Sequence, residues 1–334
     1  MEMEELNIPL TVYGDHWRWQ DSEELMESDF PSEYRMEGKA NSLWDDGLCH
    51  SRSTKRGSNP SNASQSHISQ ERTSGAWHML SAGNAASDRF DSRSHISYGL
   101  DVSVVFDICQ PEAGSGPRMR SGGDFADVIP LHGNWVALVL ADVCGKGPAA
   151  ALCVPQTIYA VRQILYGSTN DCRNPACVLN RLNRHLCSPA QPPVCASAAL
   201  TLVFINTGTG EALSASAGSE PPLILRAGGQ AEAVGAGRIA LGVEAGRTYH
   251  AVDFQLERGD ALLLATDGIT LAQSTDSDEG ENSLNYEGLT GLALNAFGMG
   301  SLTGRVARAV LNGARAFAGG TLHDHATVLV ASLR

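Results

Sequence analysis

The sequence predicts an α+β sandwich in which antiparallel sheets lie inside and pairs of helices lie outside. Short apolar segments with strand-like alternation follow one another through turns that contain Gly, Asn and Asp, a pattern typical of antiparallel hairpins. Two pairs of longer segments with helical spacing interrupt this series, one in the middle of the chain and one near its end. Hairpins with helices inserted between them favour antiparallel sheets that are covered by helices.

Strands and helices can be placed in order along the second half of the sequence. Strands are predicted at residues 100–109, 127–131, 135–140, 198–205, 211–217, 223–226, 231–234, 249–256, 261–265 and 326–332. Helices are predicted at residues 149–166, after an Asn174 cap followed by Pro175, and at 286–297 and 302–317. Turns at Gly133, Gly228-Gly229 and Gly259 are each expected to close a hairpin.

The chain divides into three regions by composition. Residues 1–50 are acidic with interleaved aromatic side chains, and this segment is either a solvated tail or one that folds onto a partner or onto its own domain. Residues 51–97 are rich in Ser, Asn, Arg and Gly with few apolar side chains, which predicts a flexible linker. Residues 98–334 are predicted to form the folded domain, which we expect to remain folded and to bind metal when residues 1–95 are removed.

Charge and hydropathy exclude several classes of function. The net charge of −13 argues against a nucleic-acid partner and against attachment to anionic lipid. No apolar run reaches the roughly 18–20 residues that span a bilayer, and the N-terminus lacks the profile of a signal peptide. The eight cysteines form no C-x-x-C pair, so free thiols in a reducing compartment are expected. The sequence therefore predicts a cytoplasmic protein without a membrane segment.

Four aspartates at strand edges are the candidate site. Asp124 precedes one predicted strand of a hairpin and Asp142 follows the other, so the two carboxylates are expected at one end of a sheet. Such a pair repels unless a cation lies between its members. Asp267 and Asp324 have the same setting next to two later strands. Oxygen ligands without a Cys or His cluster favour Mg²⁺ or Mn²⁺ over zinc.

Six short motifs in a fixed order carry a resemblance to a known family. The chain from about Tyr98 onward resembles the bacterial SpoIIE/RsbU-type branch of the metal-dependent PPM (protein phosphatase 2C) superfamily. The matching segments are residues 122–127 (Gly-Gly-Asp-Phe-Ala-Asp), 141–147 (Ala-Asp-Val-Cys-Gly-Lys-Gly), 216–222 (Ser-Ala-Gly-Ser-Glu-Pro-Pro), 241–243 (Leu-Gly-Val), 259–269 (Gly-Asp-Ala-Leu-Leu-Leu-Ala-Thr-Asp-Gly-Ile) and 324–327 (Asp-His-Ala-Thr).

The resemblance implies an αββα sandwich with two Mn²⁺ or Mg²⁺ ions between the sheets. By position, Asp142 would bridge the two ions and Val143 would offer its backbone carbonyl. Asp267 and Asp324 would complete the coordination of the first ion, and Asp124 would coordinate the second, directly or through water. Asp142 and Asp124 are therefore the residues expected to carry catalysis. The implied reaction is hydrolysis of phosphoserine or phosphothreonine by a water molecule that the two cations activate.

The sequence departs from the family pattern at five positions without losing a predicted ligand. These positions are Ala126, Cys144, Ser219, Leu271 and His325. They put turnover and substrate range in question. Family analogy suggests a bacterial signalling substrate, such as a phosphorylated anti-sigma-factor antagonist, and regulation by homodimerisation or by movement of the helix pair that follows Gly147.

Two other readings stay open at the level of sequence. The domain could be a catalytically weak scaffold that binds a partner protein through the same surface. It could also be a metal-dependent hydrolase of a small phosphate ester. A P-loop is excluded, because no Gly precedes Gly145 at the required spacing and no Ser or Thr follows Lys146.

Overall fold

A computed structural model of the chain describes residues 76–81, 90–107, 120–144, 148–167, 174–188, 197–235, 239–274, 283–300 and 302–334. These residues belong to one compact unit, Gln70–Arg334. The predicted acidic segment 1–50 and the first part of the predicted linker, up to residue 75, lie outside the described residues.

Antiparallel strands and five helices make up the described part of the chain. The strands are β1 Ala76–Ser81, β2 Phe90–Ser97, β3 Leu100–Asp107, β4 Arg120–Pro130, β5 Trp135–Val143, β6 Ala198–Asn206, β7 Glu211–Ala217, β8 Leu223–Leu225, β9 Ala231–Ala233, β10 Val252–Gln255, β11 Ala261–Ala265 and β12 Ala326–Leu333. The helices are α1 Pro148–Gly167, α2 Pro175–Leu186, α3 Asp267–Thr270, α4 Asn285–Gly298 and α5 Thr303–Phe317.

The strands form two six-stranded sheets that pack face to face. The first sheet has the order β1-β4-β5-β6-β7-β10 and the second has the order β2-β3-β12-β11-β8-β9. Helices α1 and α2 cover the outer face of the first sheet, and α4 and α5 cover the outer face of the second. The predicted αββα sandwich is confirmed.

Alternation along the strands sorts apolar side chains into three layers. In β5, Leu138 faces the layer between the sheets, and Val139 faces the layer under α1 and α2. In β11, Leu264 faces the layer between the sheets, and Leu263 faces the layer under α4 and α5. Because successive strand residues point to opposite faces, this period of two also decides where each polar residue of the same strand points.

The predicted helices are present. Asn174 has extended backbone angles, and its side-chain Oδ1 accepts a hydrogen bond from the Ala176 N–H at 2.9 Å, which caps α2 as expected. Val178, Leu179 and Leu182 of α2 are buried against the first sheet. Among the described residues, no helix combines the length and the apolar character that crossing a bilayer demands.

Both sheets include residues from the predicted linker. β1 pairs with β4, and β2 pairs with β3 along its whole length from Ser97↔Leu100 to Phe90↔Asp107. The structure therefore differs from the boundary predicted at Tyr98. Composition missed these strands because an edge strand is held by backbone hydrogen bonds and needs few apolar side chains.

The hairpin predicted for residues 249–256 and 261–265 is wrong. β10 pairs with β7 in the first sheet, whereas β11 pairs with β8 and β12 in the second, so the turn between them carries the chain from one sheet to the other. Asp260 holds this turn. Its carboxylate accepts hydrogen bonds from the N–H groups of Ala227 and Glu257 and from the Arg226 guanidinium.

Removing the N-terminal region tests where the folded unit begins. We expect a chain that starts at Gln70 to unfold cooperatively, because it keeps β1 and β2. A chain that starts at Tyr98 is expected to be less stable and to aggregate, because it exposes the edges of β3 and β4. Removal of residues 1–95 also deletes most of β2, so we expect the remaining chain to be less stable than one that keeps this strand. Urea unfolding followed by circular dichroism measures the difference, and equal midpoints would contradict it.

Substitution at Asp260 tests the turn between the sheets. Burial alone would raise the pKa of Asp260, but hydrogen bonds from Ala227, Arg226 and Glu257 bring the pKa below its ordinary value. The ionised form is therefore favoured in the folded state, and this stabilisation is lost as the pH falls below about 4.

We expect Asp260→Asn to lower the free energy of unfolding by about 2 kcal/mol at pH 7 and to reduce its loss in acid. The control is Glu232→Gln, which removes the more exposed carboxylate partner of the same Arg226 and should change stability by less than about 0.5 kcal/mol. Urea titrations at pH 7 and pH 3.5 measure both effects, and equal changes in the two variants would refute the assignment.

Candidate metal centre

Asp124 and Asp142 lie directly opposite each other in the ladder between β4 and β5. The sequence placed them outside the ends of the two strands, but both strands are longer than predicted and contain them. In β4, Ala126 and Val128 face the layer between the sheets, and in β5 so do Leu138 and Leu140. The same alternation directs Asp124 and Asp142 into the space between the sheets, so the predicted pairing of the two carboxylates is present.

Asp124 is buried and is held from the opposite sheet. Its Oδ2 accepts hydrogen bonds from the hydroxyls of Thr266 at 2.9 Å and Thr327 at 2.6 Å. Thr327 lies in β12, and Thr266 directly follows β11. The two threonines are also linked to each other, since the Thr327 N–H donates to the Thr266 hydroxyl at 2.8 Å. One carboxylate oxygen thus connects the two sheets.

The second oxygen of Asp124 is left without a hydrogen-bond partner among the described residues, although it is buried. Burial, and then the charge of Asp142, raise the pKa of Asp124 well above its ordinary value, against the lowering effect of the hydrogen bonds from Thr327 and Thr266. A buried oxygen of this kind, next to a second carboxylate, is the setting that a cation stabilises.

Gly123 allows the backbone of β4 to approach the candidate ligand oxygens. A Cβ atom at this position would lie 2.1 Å from the Val143 carbonyl oxygen and 2.5 Å from Asp142 Oδ1. These two oxygens therefore border the same small space, which any side chain at residue 123 would fill. The predicted role of Val143, which is the contribution of its carbonyl oxygen, is compatible with this position.

Asp267 is the first residue of α3 and follows β11 closely, so it lies next to the strand as predicted. Burial is the main cause that raises its pKa, followed by the charges of Asp324 and Glu220. The structure therefore brings Asp267 and Asp324 together as a second acidic pair. Gly268 allows a close approach to the segment before β12, because a Cβ at this position would lie 1.9 Å from the His325 carbonyl oxygen.

His325 contacts a chain segment next to each acidic pair. Its backbone lies against Gly268, and its ring lies against Gly122, where an added Cβ would be 3.1 Å from the ring carbon Cγ. Within the part of the chain that the structure describes, no group of three or more Asp, Glu, His or Cys side chains has the arrangement of a metal site. Two neighbouring pairs are present instead, and the assignment of the aspartates as ligands stays a prediction.

The other departures from the family motifs lie in different environments. Ala126 is fully buried between the sheets, Leu271 is 57% exposed just after α3, and Cys144 is exposed at the end of β5. Ser219 lies within 3.5 Å of the Ala217 carbonyl oxygen. None of these side chains takes the place of one of the four aspartates.

Sequence reasoning missed the residues that support the aspartates. Thr266 and Thr327 hold Asp124, and Glu220 lies near Asp267. Strand alternation gave a signal only for the threonines, because each continues the alternation that directs Leu264 or Leu329 into the layer between the sheets. Glu220 lies in the loop between β7 and β8, where alternation does not apply, and its only signal was its place in the matching segment 216–222.

The donor set suits a hard divalent cation. It contains carboxylate oxygens, a backbone carbonyl and an unpartnered buried oxygen of Asp124. Mg²⁺ and Mn²⁺ prefer such oxygen ligands. The residues present therefore fit the cofactor that the sequence predicted.

Comparison with known proteins identifies similar sequences and folds. The family model described as Stage II sporulation protein E (SpoIIE) matches residues 132–334. Phosphoserine phosphatase RsbU from Bacillus subtilis (strain 168) is 30% identical over 162 residues, which cover 47% of this chain and 45% of that protein. The chain therefore spans less than half the length of this curated relative.

Two solved structures share the sandwich. The RsbU and RsbW domains of Rv1364c from Mycobacterium tuberculosis align with a TM-score of 0.56 and 25% identity, over 71% of this chain and 62% of that chain. The PP2C phosphatase domain of the cell fate determinant SpoIIE from Bacillus subtilis aligns with a TM-score of 0.56 and 18% identity, over 74% of this chain and 72% of that chain. The resemblance inferred from the six motifs is confirmed.

Gly123→Ala tests the close approach at the site. The added methyl group cannot remain 2.1 Å from the Val143 oxygen, so β4 and β5 must separate where Asp124 and Asp142 face each other. We expect Mn²⁺ affinity, measured by isothermal titration calorimetry, to fall at least tenfold. The control is Gly291→Ala in α4, where a Cβ meets nothing within 4 Å and alanine is the better helix former. Unchanged Mn²⁺ binding in Gly123→Ala would contradict the assignment.

Proposed function

Because the chain belongs to the SpoIIE family, we propose that it is a metal-dependent serine/threonine phosphoprotein phosphatase. The observation that carries the proposal is the buried carboxylate of Asp124, which faces Asp142 in register and keeps one oxygen without a hydrogen-bond partner among the described residues. A buried aspartate with a purely structural role is commonly paired with a basic group or kept protonated. The neighbour of Asp124 is a second acid, and this arrangement favours a role in cation binding.

Five residues would hold two divalent cations, Mn²⁺ or Mg²⁺. They are Asp124, Asp142, Asp267, Asp324 and the carbonyl group of Val143. When bound, such ions lower the pKa of a coordinated water molecule and neutralise charge on a phosphoryl group. This chemistry suits a phosphate monoester, which is a stable dianion that an acidic protein would otherwise repel.

The side chains of the protein orient and shield the site. Thr266 and Thr327 fix one oxygen of Asp124 and so direct the other toward Asp142. Asp124 is only 1% exposed, whereas Asp142, Asp267 and Asp324 are partly exposed. A phosphate group therefore reaches the site from the side of these three residues, and Asp124 lies behind them.

A phosphoprotein is the proposed substrate. The curated relative is named a phosphoserine phosphatase, which favours phosphoserine or phosphothreonine over small esters. A phosphorylated anti-sigma-factor antagonist is the specific candidate that family analogy suggests. A cytoplasmic location and a homodimer belong to the same proposal.

The substitution Asp142→Asn tests the proposed activity. We expect the wild-type protein to release phosphate from a phosphoserine protein in the presence of Mn²⁺, and Asp142→Asn to reduce kcat by at least a hundredfold, because a proposed metal ligand is lost. The matched control is Asp253→Asn, which changes an exposed aspartate of β10 and should leave kcat unchanged. Release of inorganic phosphate measures both.

Two results would favour the other functions. A wild-type protein that captures a phosphoprotein without turnover, and still does so after Asp142→Asn, would indicate a scaffold. Faster hydrolysis of a nucleotide or sugar phosphate than of any phosphoserine protein would indicate a small-molecule phosphatase.

A further inference from the structure

Glu220 lies beside the candidate metal centre and is not among the residues assigned to it. It belongs to the loop between β7 and β8, and its Oε1 accepts a hydrogen bond of 2.6 Å from the Thr270 hydroxyl. Thr270 is the last residue of α3, and Asp267 is the first. The same hydroxyl lies 3.2 Å from the Asp267 carbonyl oxygen. Glu220 is thus hydrogen-bonded to the single-turn helix that carries Asp267, a predicted metal ligand.

A helix of four residues has little stability of its own. It forms one turn, and the hydrogen bonds of one turn do not offset the entropy of ordering it. Thr266, the residue before α3, offers no side-chain cap to it. The conformation of Asp267 must therefore be fixed by contacts with other elements, and the Glu220–Thr270 hydrogen bond is one of these contacts.

The loop that contains Glu220 is itself anchored. The Tyr286 hydroxyl, from α4, donates to the Pro221 carbonyl oxygen at 3.1 Å. On the other side of the loop, β8 is buried and pairs with β11, the strand that leads into α3. Burial, and then the charge of Glu220, raise the pKa of Tyr286 to about 12.

We propose that Glu220 is a positioning residue for Asp267. It holds α3 through the Thr270 hydroxyl and so sets the orientation of the Asp267 carboxylate toward Asp324. Glu220 acts through the Thr270 hydroxyl in this role, and it is not one of the proposed ligands. The inference rests on the proposed function, since it assigns a support to the same site.

Three substitutions separate the hydrogen bond from the charge. Glu220→Ala removes both, Thr270→Val removes the donor and keeps the shape, and Glu220→Gln keeps an acceptor and removes the charge. We expect Glu220→Ala and Thr270→Val to weaken Mn²⁺ binding by about tenfold, because residues that orient metal ligands contribute on this scale. Glu220→Gln should bind Mn²⁺ within about threefold of the wild type, which is the rescue expected of a positioning role.

Binding is measured by isothermal titration calorimetry with Mn²⁺ alone, and the melting temperature is measured in excess EDTA. Without metal, Glu220→Gln should melt at a higher temperature than the wild type, since it removes one of three neighbouring negative charges. The matched control is Glu287→Gln in α4, an exposed glutamate that should change neither measurement.

The outcomes separate this inference from the proposed function. If the wild type binds Mn²⁺ and releases phosphate while Glu220→Ala and Thr270→Val bind Mn²⁺ equally well, the positioning role is wrong and the phosphatase proposal stands. If Glu220→Gln is as weak as Glu220→Ala and Thr270→Val has no effect, the positioning role is also wrong, because the charge acts directly. If the wild type neither binds Mn²⁺ nor releases phosphate, both proposals fail.

Discussion

The burial of a carboxylate between two sheets is the constraint on which the rest of this structure depends. An ionised Asp124 away from water is costly unless each oxygen has a partner. One oxygen obtains two hydroxyl donors from the opposite sheet, Thr266 and Thr327. The other faces Asp142, which offers no positive charge. The charge of Asp142 therefore adds to burial in raising the pKa of Asp124, which opposes its ionisation unless a cation lies between the two carboxylates.

Strand alternation assigns the aspartates of this region to different tasks. Asp124 and Asp127 are three residues apart in β4, so they point to opposite faces of the first sheet. Asp124 enters the space between the sheets, whereas Asp127 meets the Arg162 guanidinium of α1 through two hydrogen bonds of 2.8 Å. Asp107 of β3 makes the equivalent bidentate contact with Arg315 of α5. The outward-facing aspartates attach helices, whereas the inward-facing Asp124 and Asp142 face each other across the β4–β5 ladder.

Sequence reasoning reached the parts of the fold that local pattern determines. The pairing of Asp124 with Asp142 followed from one tight hairpin, and the α2 cap followed from Asn174 and Pro175. The strands that pair with β10 and β11 could not be predicted in this way, because the sequence of a tight turn is the same whether its two strands pair with each other or enter different sheets. Thr327, which lies 203 positions from Asp124, could not be assigned to it by spacing, since only the stacking of two sheets makes them neighbours.

The four aspartates differ in solvent exposure, and this difference shows how each sheet positions its part of the site. Asp124 alone is buried, and its position depends on register, which cannot slip by one residue without turning every side chain of β4 to the other face. Asp267 instead lies on the single helical turn α3, whose other residues are buried against the second sheet and its helices. Its position therefore depends on how that turn packs, and Glu220 adds a hydrogen bond to the end of the turn through Thr270.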